Sequence, residues 1–197
     1  MFVWVNSKVS ECLCRPTEVL LKALNNAIVE IKRLDEKGVD FESKEFLDSV
    51  NKVVEGAGFK LLGVGGTRLV YEFKDDSGCD CVVKVARTSD ATMFNRNDVD
   101  VMMEVPDDIR DLFLPVGAAD EEGWWVTQPK ADLPEEKTRA KIVRQIRAKL
   151  RSKGWKCYNL GEDNVGLYKG KPVVIDYGFG ISCEYDETYI GEVSPIL

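Results

Sequence analysis

The chain has no histidine among its 197 residues. This removes the side chain most often used as a general base near neutral pH, and the commonest nitrogen ligand for transition metals. Cysteine occurs as Cys12, Cys14, Cys79, Cys81, Cys157 and Cys183, but no two have the C-x-x-C spacing of a zinc knuckle or redox pair. A structural zinc would need several thiolates, so ordinary reduced cysteines in a cytoplasmic protein are expected. No apolar run is long enough to cross a bilayer. Met1 to Val9 is largely apolar but lacks a basic leader and a cleavage site, so a soluble chain with no membrane contact is expected. A net charge of −7 argues against the whole surface serving as a nucleic-acid platform.

What is present divides by periodicity. Phe2-Val3-Trp4-Val5 reads as a short strand or a docking tail. From Thr17 to Lys37, Leu20, Leu24, Ala27, Ile28, Ile31 and Leu34 recur at helical spacing, and Gly38 supplies the stop. A second helix is expected from about Lys44 to Glu55, with Ser43 as N-cap and Phe46, Leu47, Val50, Val53 and Val54 turned inward. Strand signals follow at Phe59 to Val64, Leu69 to Phe73 and Cys81 to Ala86, with a turn at Asp75-Asp76-Ser77-Gly78. A short acidic helix is expected over Asn97 to Glu104, closed by Pro106. Leu112 to Val116 and Trp124 to Thr127 read as two more strands. Adjacent strand residues point to opposite faces, so Trp124 and Trp125 are expected to serve one core position and one lobe-packing position.

Between Lys137 and Lys156 there is no acidic residue. Nine cations surround an apolar stripe of Ile142, Val143, Ile146 and Leu150, which predicts a basic amphipathic helix. Such a face suits an acidic protein or a phosphate backbone, although aromatics for base stacking are not interleaved with the charges. Its plainer role is a solvated helix face.

The most informative stretch comes next. Tyr158-Asn159-Leu160-Gly161-Glu162-Asp163-Asn164 reads as a polar loop leading into a strand. A turn at Lys169-Gly170-Lys171-Pro172 and a second strand, Val173-Val174-Ile175, then end at Asp176-Tyr177-Gly178. If the strands pair as a hairpin, Asn164 and Asp176 present two oxygen ligands at one mouth, a set suited to magnesium. Upstream, Leu62-Gly63-Val64-Gly65-Gly66-Thr67-Arg68-Leu69-Val70 is a glycine-rich run, and Val82-Val83-Lys84 places a lysine within the following strand, fourteen positions after Val70.

Taken together and in this order, these segments resemble protein kinases. Leu160, Asn164, Asp176 and Gly178 match H-R-D-L-x-x-x-N and D-F-G, while Gly63, Gly65 and Val70 match G-x-G-x-x-G-x-V. Arg68 stands in the third glycine's place, and Lys84 matches the lysine of V-A-I-K. The likeness covers roughly Phe59 to Gly180 and is greatest to small, truncated kinase-like proteins of bacteriophages, whose pattern Asn95-Arg96, Asp100-Val101 and Pro106 echo. It implies an α+β, two-lobed fold. The lobes would be an antiparallel N-lobe sheet over 58–130 and a reduced helical C-lobe over 131–197, preceded by two extra helices within 1–57.

The resemblance also implies ATP and Mg2+ in an interlobe cleft. Lys84 would hold the phosphates, Gly63 and Gly65 would cover them, and Val70 and Val82 would line the nucleotide site. Gln128-Pro129-Lys130 would offer backbone groups to the adenine edge, and Asn164 and Asp176 would hold the metal. An acid should pair with Lys84; Asp98, Asp100 and Glu104 are candidates, with Asp100 favoured. Asn159 stands where the catalytic aspartate would be, and an amide cannot take the acceptor's proton. Only 17 residues follow Gly180, which leaves no A-P-E segment and no room for the helical lobe that docks peptides. The expected function is therefore either a minimal phosphotransferase or a nucleotide-binding pseudokinase that engages a protein partner. The alternative is an interaction or nucleic-acid-associated protein using the 137–156 helix.

Overall fold

The computed structural model describes residues 2–4, 14–158, 160–178 and 183–185. The chain forms two compact units, one of residues 1–103 and 115–130, the other of 104–114 and 131–197. Among the described residues there are four α-helices and ten strands, an α+β composition with antiparallel ladders throughout.

The first unit begins with strand β1, Phe2–Trp4, and helix α1, Glu18–Glu36. Thr17 caps α1 by accepting the Leu20 N–H at 3.1 Å, and the expected apolar stripe from Leu20 to Leu34 is buried. Helix α2, Lys44–Glu55, starts at the Ser43 cap as expected and buries Phe46, Val50 and Val54. Strands β2 (Lys60–Val64), β3 (Arg68–Lys74) and β4 (Asp80–Ala86) follow, then helix α3 (Thr92–Glu104) and strands β5 (Ala118–Asp120) and β6 (Trp125–Pro129). Five strands in the order β5-β6-β4-β3-β2 make the sheet, and β1 extends it by pairing Phe2 with Asp120.

Register gives the sheet two unlike faces. Leu69 pairs with Val85, Tyr71 with Val83 and Phe73 with Cys81, so these side chains share one face. That face is buried in one core with Leu24, Ile31, Phe46 and Val50 of the two N-terminal helices. A side-chain hydrogen bond ties sheet to helix: the Tyr71 hydroxyl donates to Asn51 Oδ1 of α2 at 2.6 Å. The opposite face carries Val70 beside Lys84, Glu72 beside Val82, and Val82 beside Gln128. Trp124 and Trp125 both enter the helix-side core. Trp124 precedes β6, so strand alternation does not act on it.

In the second unit, helix α4 (Glu136–Arg151) buries Ile142, Val143, Ile146 and Leu150. Strand β7 (Trp155–Cys157) pairs with β10 (Cys183–Tyr185), and β8 (Val165–Tyr168) with β9 (Lys171–Val174). The β8–β9 turn is two residues, Lys169 and Gly170, both left-handed at φ 51° and 74°. This is the primed hairpin geometry, which matches strand twist. Helix α4 packs on this hairpin.

The strand expected over Leu112 to Val116 does not form. Arg110–Leu112 is a 3-10 turn, and Phe113 touches the hairpin through an isolated bridge to Val174. The apolar signal there reflects burial of Phe113, Leu114 and Val116 without a ladder. No helix among the described residues is long and apolar enough to cross a membrane.

Candidate functional site

The sheet face turned away from α1 and α2 collects most of the residues that the sequence singled out in the first unit. Val70 and Val82 are half-buried there, and Lys84 and Gln128 are buried on the same face. The half-buried valines form an apolar shelf. Gly63 pairs with Val70 next to a register shift in β2, where the strand loosens toward the glycine-rich turn.

Helix α3 brings the acid. Lys84 Nζ lies 3.4 Å from Asp98 Oδ2, and Asp98 is fully buried. Asp100, favoured on the sequence, is exposed. Asn95, Asp98 and Met102 form the buried face of α3 at i, i+3 and i+7, and two residues along from Asp98 the helix has turned to solvent. The helix also begins at Thr92 rather than Asn97, earlier than its apolar residues indicate.

Arg68 enters the same cluster. Its Nη1 donates to Asp98 Oδ2 at 2.6 Å and to Asn95 Oδ1 at 3.1 Å. Asn95 Nδ2 in turn donates to Gly123 O at 2.8 Å and to Lys84 O at 3.4 Å. Two cations from adjacent strands thus converge on one carboxylate oxygen, while Asp98 Oδ1 is buried with no hydrogen-bond partner among the described residues. Sequence reasoning treated Arg68 only as a missing glycine. The available signal was a buried-strand position, next to Leu69, filled by a charge.

The stretch 128–130 lies at the end of β6. β6 runs through Pro129, which has no N–H, and the Lys130 N–H donates to Asp80 O at 2.9 Å. Lys130 Nζ pairs with Glu72. The Lys130 N–H is therefore spent on the sheet.

In the second unit, the hairpin brings Asn164 and Asp176 together. Val165 pairs with Val174, and past that pair the Ile175 N–H donates to Asn164 O at 2.8 Å, with the Asp176 N–H at 3.5 Å from the same oxygen. Both side chains are half-buried. Tyr177 anchors the next position: it is buried, its hydroxyl donates to Leu114 O at 2.7 Å, and its ring stands edge-on to Phe113 at 5.5 Å. The loop before the hairpin is tied to α4. Arg147 Nη2 donates to Leu160 O at 2.9 Å and Arg139 Nη1 to Asp163 Oδ1 at 2.8 Å, so part of the basic helix has an internal task. An amide oxygen and a carboxylate are hard oxygen donors of the kind magnesium takes. Asn159 lies outside the described residues. A separate open cavity of about 380 Å³ is lined by Leu112, Ile146, Lys149, Lys171 and Pro172, among others.

The molecule is thus an α+β protein whose first unit holds a buried lysine and carboxylate on one sheet face, and whose second holds an amide and a carboxylate at a hairpin mouth. No protein-family model matches the chain, and no curated protein matches it. Among solved structures it is similar to one titled "Crystal structure of Cex1p", at 12% sequence identity and a TM-score of 0.47. The match covers 66% of this chain and 26% of that one, so it spans about a quarter of that structure's length.

Proposed function

We propose that this chain is a minimal kinase-like protein that binds a magnesium nucleotide, with ATP the expected ligand. The observation that carries the reading is the Lys84–Asp98 pair, held beside the half-buried Val70 and Val82 on the face opposite the helix-packed core. An ammonium oriented by a carboxylate next to an apolar shelf suits a phosphate tail and a flat ring. In the second unit, Asn164 and Asp176 would be the residues that hold the metal. The cytoplasmic assignment belongs to the same proposal.

Asn159, as the residue aligned with the catalytic base, favours a binding module over a phosphotransferase, because its amide has no proton affinity to offer an acceptor hydroxyl. A protein partner is the expected target of such a module. A second reading, a docking surface for an acidic partner, draws on Lys137, Lys141, Arg144, Lys149 and Arg151, all exposed along α4.

Thermal unfolding with and without Mg-ATP tests the main reading. Ligand at a hundredfold its Kd adds about 2.7 kcal/mol, or roughly 5–10 °C for a chain of this size. Lys84→Ala and Asp176→Asn should each lose that gain. No shift at millimolar nucleotide would overturn the proposal. If binding holds, Asn159→Asp distinguishes the two forms: phosphorylation gained by the variant would mean that only the base was missing.

A further inference from the structure

Arg87 follows β4 by one residue and is 4% exposed, yet neither the nucleotide reading nor the sheet uses it. Its guanidinium joins two distant segments. Nη1 donates to the carbonyl of Gly65 in the glycine-rich turn, and Nη2 to the carbonyl of Phe41, just before α2. The Arg87 backbone N–H also donates to Thr67 O at 3.0 Å, so one residue holds the turn from two directions. The guanidinium lies over Phe41 and Phe46, 5.3 Å and 5.9 Å from the ring centroids. Asp40 and Glu42 flank it with negative charge.

The turn it grips has little else to define it. Gly63, Gly65 and Gly66 carry no side chains, and Gly65 and Gly66 are exposed. Free glycine backbone loses about 1–2 kcal/mol of conformational freedom per residue when a ligand orders it. A peptide group is planar and trans, so fixing the Gly65 carbonyl on Arg87 also fixes the Gly66 N–H, which points the opposite way. A turn whose amides already point in one direction binds an anion without that ordering cost.

We infer that Arg87 is a positioning residue: braced on Phe41 of the α1–α2 connection and Phe46 of α2, it holds the glycine-rich turn in one conformation and so sets its affinity for phosphate. The two N-terminal helices thereby act on the turn without touching the ligand. The inference rests on the nucleotide reading for the ligand it names, but the clamp itself can be measured in the unliganded protein.

The experiment is residue-resolved amide hydrogen exchange on the full chain, for the wild type, Arg87→Met, Arg87→Lys and Phe41→Ala, followed by Mg-ATP titration of each. The Gly65 N–H, bonded to Arg68 O at 2.8 Å, reports on the turn. In Arg87→Met its exchange should rise about tenfold or more, the scale of a lost charge-assisted hydrogen bond, while amides in the middle of α1 and β3 stay protected. Arg87→Lys should fall between, and Phe41→Ala should loosen the turn with Arg87 in place. Mg-ATP affinity should fall in the same order. A merely structural Arg87 would raise exchange across the whole unit. Unchanged Gly65 exchange in a folded Arg87→Met variant, or a uniform rise, would overturn the clamp. Faster Gly65 exchange with no nucleotide binding by the wild type would uphold the clamp and overturn the nucleotide reading instead.

Discussion

Arg68 and Asp98, thirty positions apart in sequence, meet at 2.6 Å in the interior of the first unit, closer than Lys84 approaches the same carboxylate. The arginine rather than the lysine is the nearer partner of the buried acid. Lys84 Nζ lies 3.4 Å from the same oxygen.

This arrangement makes Asp98 the most sensitive charged residue in the unit. Asp98→Ala removes the counter-charge that Arg68 and Lys84 share, and should cost about 3–5 kcal/mol, the range for breaking a buried ion pair from one side. Asp100→Ala, on the exposed side of the same helix, should stay within about 0.5 kcal/mol of the wild type. Urea unfolding of the two variants checks the assignment. Equal losses would mean that Asp98 is not the buried partner.

Gly123 closes the turn before β6 at φ 83°, and a Cβ there would stand 2.5 Å from Thr92 O and 2.8 Å from Arg96 Cγ. Gly78 has a similar φ of 81° but open space around it. Gly78→Ala should therefore cost only the left-handed backbone penalty, about 1–2 kcal/mol. Gly123→Ala adds overpacking and should cost about 2–5 kcal/mol in total. Chemical denaturation of the pair separates conformation from contact.

Burial pushes the Tyr71 hydroxyl well above its ordinary range, helped by the negative charge of Glu55. An unfolded tyrosine titrates near about pH 10. The folded state therefore holds this proton more tightly, and the stability it confers is complete below that pH and lost as pH rises toward the folded value. Tyr71→Phe should lose about 1 kcal/mol at neutral pH, because Asn51 forfeits its donor. Its stability should then decline less steeply than the wild type's above pH 10. Parallel pH titrations of the unfolding midpoint decide this; identical alkaline slopes would count against a buried, proton-holding Tyr71.

Arg147 anchors the loop before the β8–β9 hairpin by donating to Leu160 O. Arg147→Ala should cost about 0.5–1.5 kcal/mol and raise amide exchange at Asn164, whose N–H bonds to Gly161 O at 3.2 Å. Arg144→Ala, exposed on the same helix, should change neither.

Local signals carried the parts of the fold that local physics decides. Ser43 was legible as a cap because a side-chain oxygen three residues before a helical N–H needs no distant partner. The β8–β9 hairpin was legible because a Lys-Gly turn separates two apolar strands, and with it the meeting of Asn164 and Asp176. Asp98 was one of three candidate acids but not the favoured one, because its face of α3 is polar: Asn95 and Asp98 are buried against partners about thirty residues away in sequence, and apolar periodicity is blind to that. The same reasoning explains Leu112 to Val116. Its apolar residues are buried, but they lie in the second unit up to Leu114, and neither the burial nor the change of unit has a local sign. Arg87 went unnoticed because its partners are two backbone carbonyls, which leave no mark in the side-chain pattern.

The chain passes between its two compact units after residues 103, 114 and 130. Residues 104–114 leave the first unit and return to it before the final departure. A protease cutting once near residue 130 would therefore yield 1–130 and 131–197, the first still carrying the eleven residues 104–114 that belong to the second unit. Neither unit is a contiguous stretch of gene, so any attempt to transplant one by cutting the sequence at a single point carries a piece of the other with it.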